Sequence, residues 1–233
     1  KPKFVVSHLL SSEVDNPKVI TVAEDATDVT ILELDFVWYG DKNETYPGNS
    51  IGSGGRIITT YAKRTLVKNC NFRLEGTSSK NLNTYAVGSA IADSNATPGE
   101  FLRVEGCLFE AHTGDKLQMN AILCGKNAEV IQNVFTNCNK SFTTVKNLYN
   151  NHLAVISNSL YECESIPSRS PFGLHNNTQN ADIAYNKFVT SKGTPFIIKE
   201  SDGLHGNVYI HHNTVVGASA FLKVEITGNT RTL

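Results

Sequence analysis

No apolar run in the chain approaches the roughly 20 residues that a membrane-spanning helix needs. An excess of one charge is lacking too. The 21 basic side chains face 22 acidic ones, a formal charge of −1, which excludes a global pull toward nucleic acid or an anionic membrane. Five cysteines in 233 residues, unevenly spaced and without a CxxC pair, are too few for a disulfide scaffold and supply no zinc motif. The 3.6-residue periodicity of an amphipathic helix is missing throughout. Neither methionine nor an apolar leader opens the chain at Lys1, as expected of a processed polypeptide. With 40% hydrophobic residues the chain nevertheless has the material for a core.

What the chain does contain is one spacing, used seven times. Its clearest instance is AEVIQNVF at residues 128–135. A terminal aromatic or aliphatic residue is preceded by an aliphatic residue at five, by an apolar residue or threonine at seven, and often by asparagine at two. Terminal residues read in this way are Phe36, Phe72, Phe109, Phe135, Leu160, Phe188 and Val215, separated by steps of 36, 37, 26, 25, 28 and 27. In the fifth repeat the pattern selects Leu153, Val155, Asn158 and Leu160. Such a period signals stacked repeats, each in contact only with its neighbours, and one domain over residues 1–233.

Ahead of each signature lies another strand-like segment, at 56–61, 86–92, 120–124, 142–146, 172–176, 196–200 and 221–226. With a short strand after each bend, a repeat of 25 to 28 residues holds three strands. Gly, Asn, Ser and Thr punctuate the runs where a strand must turn. A carboxamide at a bend can bond its equivalent one coil away, which accounts for the recurrent asparagines as a ladder. Cys70 and Cys107 occupy that position in earlier repeats, and Cys138 and Cys163 each follow a terminal residue by three. Stacked thiols and disulfides are both open for these pairs. Residues 1–27 are expected to cover one end of the stack, 28–226 to form the coils, and 227–233 to form a tail without an evident cap. A further domain or subunit is therefore expected over the last coil.

The Val-x-Ile-x-x-Asn-x-Phe pattern, with asparagine bends and rows of phenylalanine, resembles the right-handed parallel β-helix of the pectate-lyase-like superfamily over residues 28–226. The resemblance implies an all-β solenoid of about seven coils with three strands each. It implies that the asparagine bend joins the second and third sheets, and that saccharide binds along the first. It also implies an extracellular, cell-surface or periplasmic location. The superfamily's calcium-and-arginine lyase set, paired aspartates with Gly-His-Gly, and lysine with Arg-His-Gly are not present as written.

Candidate chemistry lies on the presumed first sheet. Lys146, His175, Lys199 and Lys223 fall near the ends of successive strands, where coil spacing would set them roughly 5 to 10 Å apart. Such a row could grip a uronate carboxylate. β-Elimination from a uronic acid needs that carboxylate neutralised and a base for the adjacent carbon, a role open to His175 or to a lysine of lowered pKa. Arg169 could clamp the carboxylate bidentately. A solvated Lys/His edge that opposes aggregation is the structural alternative. Glu200, Asp202 and Glu225 form a second group, able to act as acid and base or to take calcium as a cofactor. Exposed surface is the simpler account of them. Trp38 and Tyr46, in or beside the first long loop, could stack on sugar or be buried under that loop. His211 and His212 flank the last bend, and His112 shares an expected row with Cys138 and Cys163, where packing outweighs zinc binding.

Two functions follow from these features. One is a protein that binds an acidic polysaccharide and acts on it as a lyase. The other is a non-catalytic carbohydrate-binding, adhesive or fibre-like module.

Overall fold

A computed structural model describes residues 2–6, 18–40, 56–76, 82–89, 100–113, 117–124, 127–137, 145–147, 153–162, 172–175, 180–189, 196–200, 206–218, 220 and 222–226. In several of these strands, among them Val145–Asn147, Phe172–His175 and Phe196–Glu200, the description is of backbone course and register. Among the described residues every regular element is a strand, and every strand pairing is parallel. The strands fall into three sheets of eight, eight and seven, visited in strict rotation. The protein is a parallel β-helix with three strands per coil. Lys3–Val6 and Lys18–Val22, expected as end cover, run in register with Asp35–Gly40 and Arg56–Thr60 as further strands of the third and first sheets.

The repeated signature accounts for the core. Phe36, Phe72, Phe109, Phe135, Tyr161 and Phe188 are all fully buried and stack in one file, with ring centroids 4.6 to 5.1 Å apart and planes within 13°. That separation is the distance between paired strands, so one ring per coil fills the interior at the pitch of the sheet. Val67, Val104, Val130, Ile156 and Ile183 form the matching file on the second sheet.

Tyr161 in that file corrects the sequence reading of the fifth repeat by one residue. Phe135 is opposite Tyr161, and Val130 is opposite Ile156, so the repeat runs through Ala154, Ile156, Ser159 and Tyr161. Asn158 sits one place earlier, at φ 54°. The bend explains why. Glu33, Asn69, Gly106, Gln132, Asn158, Tyr185 and His212 are successive members of one row, all between φ 52° and 62°. This left-handed residue turns the chain from the second sheet to the third while its N–H continues the coil-to-coil ladder, as from Asn69 to the Glu105 carbonyl and from Gln132 to the Ser157 carbonyl. At Gly106 an added Cβ would stand 2.6 Å from Asn69 Oδ1, so glycine spares that side chain a shift.

The next residue's N–H then meets no backbone carbonyl and needs a side-chain acceptor from the following coil. Cys70 N–H donates to Cys107 Sγ (3.4 Å), Cys107 to Asn133 Oδ1 (2.9 Å), Asn133 to Ser159 Oγ (3.1 Å), Ser159 to Asn186 Oδ1 (3.0 Å) and Asn186 to Asn213 Oδ1 (2.9 Å). Amide, hydroxyl and thiol all accept, so this bend position tolerates three residue types. The carboxamides add donors. Asn133 Nδ2 reaches the Val104 carbonyl, and Asn186 Nδ2 reaches that of Ile156. Cys70 and Cys107 are buried free thiols, and the Cys107 pKa is raised by its contact with Cys70 and then by burial.

Candidate functional site

The first sheet supplies the cationic positions that the sequence pattern singles out. Lys199 is directly opposite His175, and Glu225 is opposite Lys199. Lys146 is opposite Gly173, whose row continues through Ile197 to Lys223. The four cationic residues therefore occupy two rows rather than one, two residues apart along the strands. A slip of two preserves the face, since strand positions alternate with period two. The row of Lys146 continues that of Thr59, Gly88 and buried Leu123, and Leu123 lies outside the continuous core while the neighbouring Ile122 belongs to it. By alternation all four cationic positions share the face away from the core row.

The other expected residues are distributed differently. Glu200 is opposite Ile226, one residue on from the Lys199 and Glu225 pair, so Glu200 and Glu225 hold positions on opposite faces and do not form a carboxylate pair by register. Trp38 lies in the strand Asp35–Gly40 that leads into the first long loop, and it shares its row with Leu74, which is buried in the core. Arg169, Tyr46, Asp202, Cys138 and Cys163 lie outside the described residues, and His112 is opposite Glu75 in the third sheet.

On the outer face of the second sheet, charges are consumed in pairs. Lys68 donates to Glu105 at 2.8 Å, while Arg103 bridges Glu105 and Glu129 at 2.7 and 2.9 Å. The hydrogen bond from Lys68, followed by that from Arg103, holds the Glu105 carboxyl below the usual range. Arg64 grips Asp28 with both arms of its guanidinium. The third sheet carries a groove of about 130 Å³ lined by Asp35, Asn71, Arg73 and Glu110 among others. Its polar groups bond one another, Asn71 to Asp35 at 2.7 Å and Arg73 to Glu110 at 3.2 Å. These networks hold coils together and leave little unspent for a ligand.

A cluster in the last two coils differs from all of these. Asp182 is opposite Tyr209, and Ala184 is opposite His211. His211 Nε2 stands 2.9 Å from Asp182 Oδ1, and His211 Nδ1 stands 2.7 Å from His212 Nδ1. Tyr185 stacks on His212 at 5.0 Å and 17°, and its edge meets His211 at 6.0 Å. Tyr185 and Tyr209 are 57% and 60% exposed, more than any other large hydrophobic residue described. The sequence reading placed the two histidines at the last bend and gave them no further role. The signal for the cluster was the replacement of Gly, Gln and Asn by Tyr185 and His212 at the left-handed row, where bulky side chains are disfavoured.

In comparisons with known proteins, the chain matches no family model, no curated protein and no solved structure.

Proposed function

We propose that the protein binds an acidic polysaccharide along the first sheet, and that β-elimination from a uronic acid is the reaction this surface is equipped to support. The observation that carries the reading is the register of His175 against Lys199, with Lys146 and Lys223 at same-face positions two residues back. Paired strands are about 4.8 Å apart, so His175 and Lys199 occupy adjacent positions on the sheet. Lysines on either side can neutralise successive carboxylates of an extended polymer. His175 is the candidate base, Lys199 the candidate partner for the reacting carboxylate, and Lys146 and Lys223 extend the binding strip. Arg169 and Tyr46 complete the candidate set by sequence position, whereas the rows of Glu200 and Trp38 lie off this strip, and calcium is the ion that could bridge uronates and carboxylates. The reading includes a secreted or surface location and kinship with the pectate-lyase-like β-helices.

A second reading rests on the last coil. Val208, Ile210 and Val215 are only partly buried against the core, and Leu222 is 38% exposed. A further domain or subunit on that end would make this β-helix a non-catalytic adhesive or fibre-like module.

Incubation with a panel of uronic-acid polymers, with and without calcium, separates the two. Growth of ultraviolet absorbance from an unsaturated product, abolished by His175→Ala, supports the lyase. Polymer binding without product supports the binding module. Neither binding nor product on any acidic polymer overturns the first reading.

A further inference from the structure

We propose that His211 and His212 form a site for a divalent transition-metal ion of tetragonal preference, Cu2+ or Ni2+, in which the metal replaces the hydrogen shared by their Nδ1 atoms. This site is on the second sheet and its bend, and it does not depend on the reading of the first sheet.

The hydrogen-bond chain orients both rings. A carboxylate accepts, so in the neutral imidazole His211 Nε2 carries the proton at that 2.9 Å contact, and His211 Nδ1 presents its lone pair. The 2.7 Å contact then makes His212 Nδ1 the donor. This is the arrangement in which a carboxylate orients a metal-ligating imidazole through its far nitrogen and raises its basicity. His212 is held separately, by stacking on Tyr185 and by the left-handed backbone at φ 52° that projects it from the bend. His211 is partly exposed and His212 exposed, so an ion has direct access.

The separation indicates the class of metal. With metal–nitrogen bonds of about 2.0 to 2.1 Å, two nitrogens at a right angle lie about 2.9 Å apart, and two at a tetrahedral angle about 3.3 Å apart. The observed 2.7 Å is a hydrogen-bond contact that must open to admit any ion, and the smaller opening is the one that reaches the right-angled geometry of Cu2+ and Ni2+ rather than the tetrahedral geometry of Zn2+. On binding, the His212 proton leaves Nδ1 and a proton is taken up at Nε2 from solvent, so both rings stay neutral while both Nδ1 atoms ligate. Among the described residues no group of three or more ligating side chains is assembled, so the other coordination positions fall to water or to an exogenous ligand.

The test is titration of Cu2+ into the full chain at neutral pH, followed by calorimetry and by electron paramagnetic resonance. The wild type is expected to show a site with two imidazole nitrogens bound to copper. His212→Asn and His211→Ser should each weaken that site at least tenfold. These variants suit the fold, because Asn158 and Ser157 stand in the same two rows two coils earlier. Asp182→Asn should weaken binding about tenfold or more while retaining the two-nitrogen signature, as expected of an orienting partner. A wild-type spectrum without two imidazole nitrogens overturns the proposal. So does undiminished affinity in either histidine variant with a wild-type circular dichroism spectrum.

Discussion

Phe135 and Tyr161 stack with ring centroids 4.6 Å apart, and this contact sets the register of the fifth coil. It places Tyr161 in the aromatic file and Leu160 on the alternate, half-buried position beside it. Tyr161→Ala is therefore expected to destabilise the protein by about 3 to 5 kcal/mol, through lost burial and the cavity left behind. Leu160→Ala should cost only about 1 kcal/mol. Urea unfolding of the two variants checks this, and the reverse order would mean that Leu160 is the core residue.

The same register separates two asparagines. Asn186 supplies the acceptor for the Ser159 N–H and donates to the Ile156 carbonyl. Asn186→Ala leaves buried polar groups unmet and should cost about 1 to 3 kcal/mol. Asn158 only occupies a left-handed bend position, so Asn158→Gly should lie within about 0.5 kcal/mol of wild type. Thermal melts of both variants distinguish the roles.

Glu105 links the ion pairs of the second sheet, and Lys68 and Arg103 depress its pKa in the folded state. A depressed carboxylate pKa adds stability above the unfolded value, near 4.3, and that stability is lost as pH falls through the folded pKa. Glu105→Gln should lower the midpoint of thermal unfolding at pH 7, at a cost of about 1 kcal/mol. Its deficit relative to wild type should shrink below pH 4. A deficit that is unchanged at pH 3 would remove the network from the account.

Cys70 and Cys107 are buried, free and bonded along the stack, and the Cys107 thiol is pushed far above its ordinary range. Thiolate is the reactive form, so both should resist alkylation in the native protein and react fully in denaturant. Peptide mapping after a native-state iodoacetamide pulse reads this directly.

The solenoid was legible because each coil repeats a solution to the same problem: an aromatic ring at the sheet pitch, aliphatics at alternate positions, and an acceptor at the bend. The fifth coil misled for a physical reason. Ser159 Oγ meets the Asn133 N–H as well as a carboxamide would, while Asn158 has the residue type that both the left-handed row and the acceptor row favour. The cationic strip was partly legible. Lys199 against His175 follows from counting, but Lys146 and Lys223 fall two residues away because the connections between coils differ in length. The contacts of Asp182, His211, His212 and Tyr185 depend on where adjacent bends project their side chains, which the period alone does not specify.

The most direct measurement of the central claim is affinity electrophoresis through gels containing polygalacturonate, alginate or a neutral glucan. The wild-type chain should be retarded by an acidic polymer and not by the glucan, and Lys146→Ala/Lys199→Ala/Lys223→Ala should migrate freely. Equal mobility in all gels, or full retardation of the triple variant, would contradict the assignment of acidic-polysaccharide binding to the first sheet.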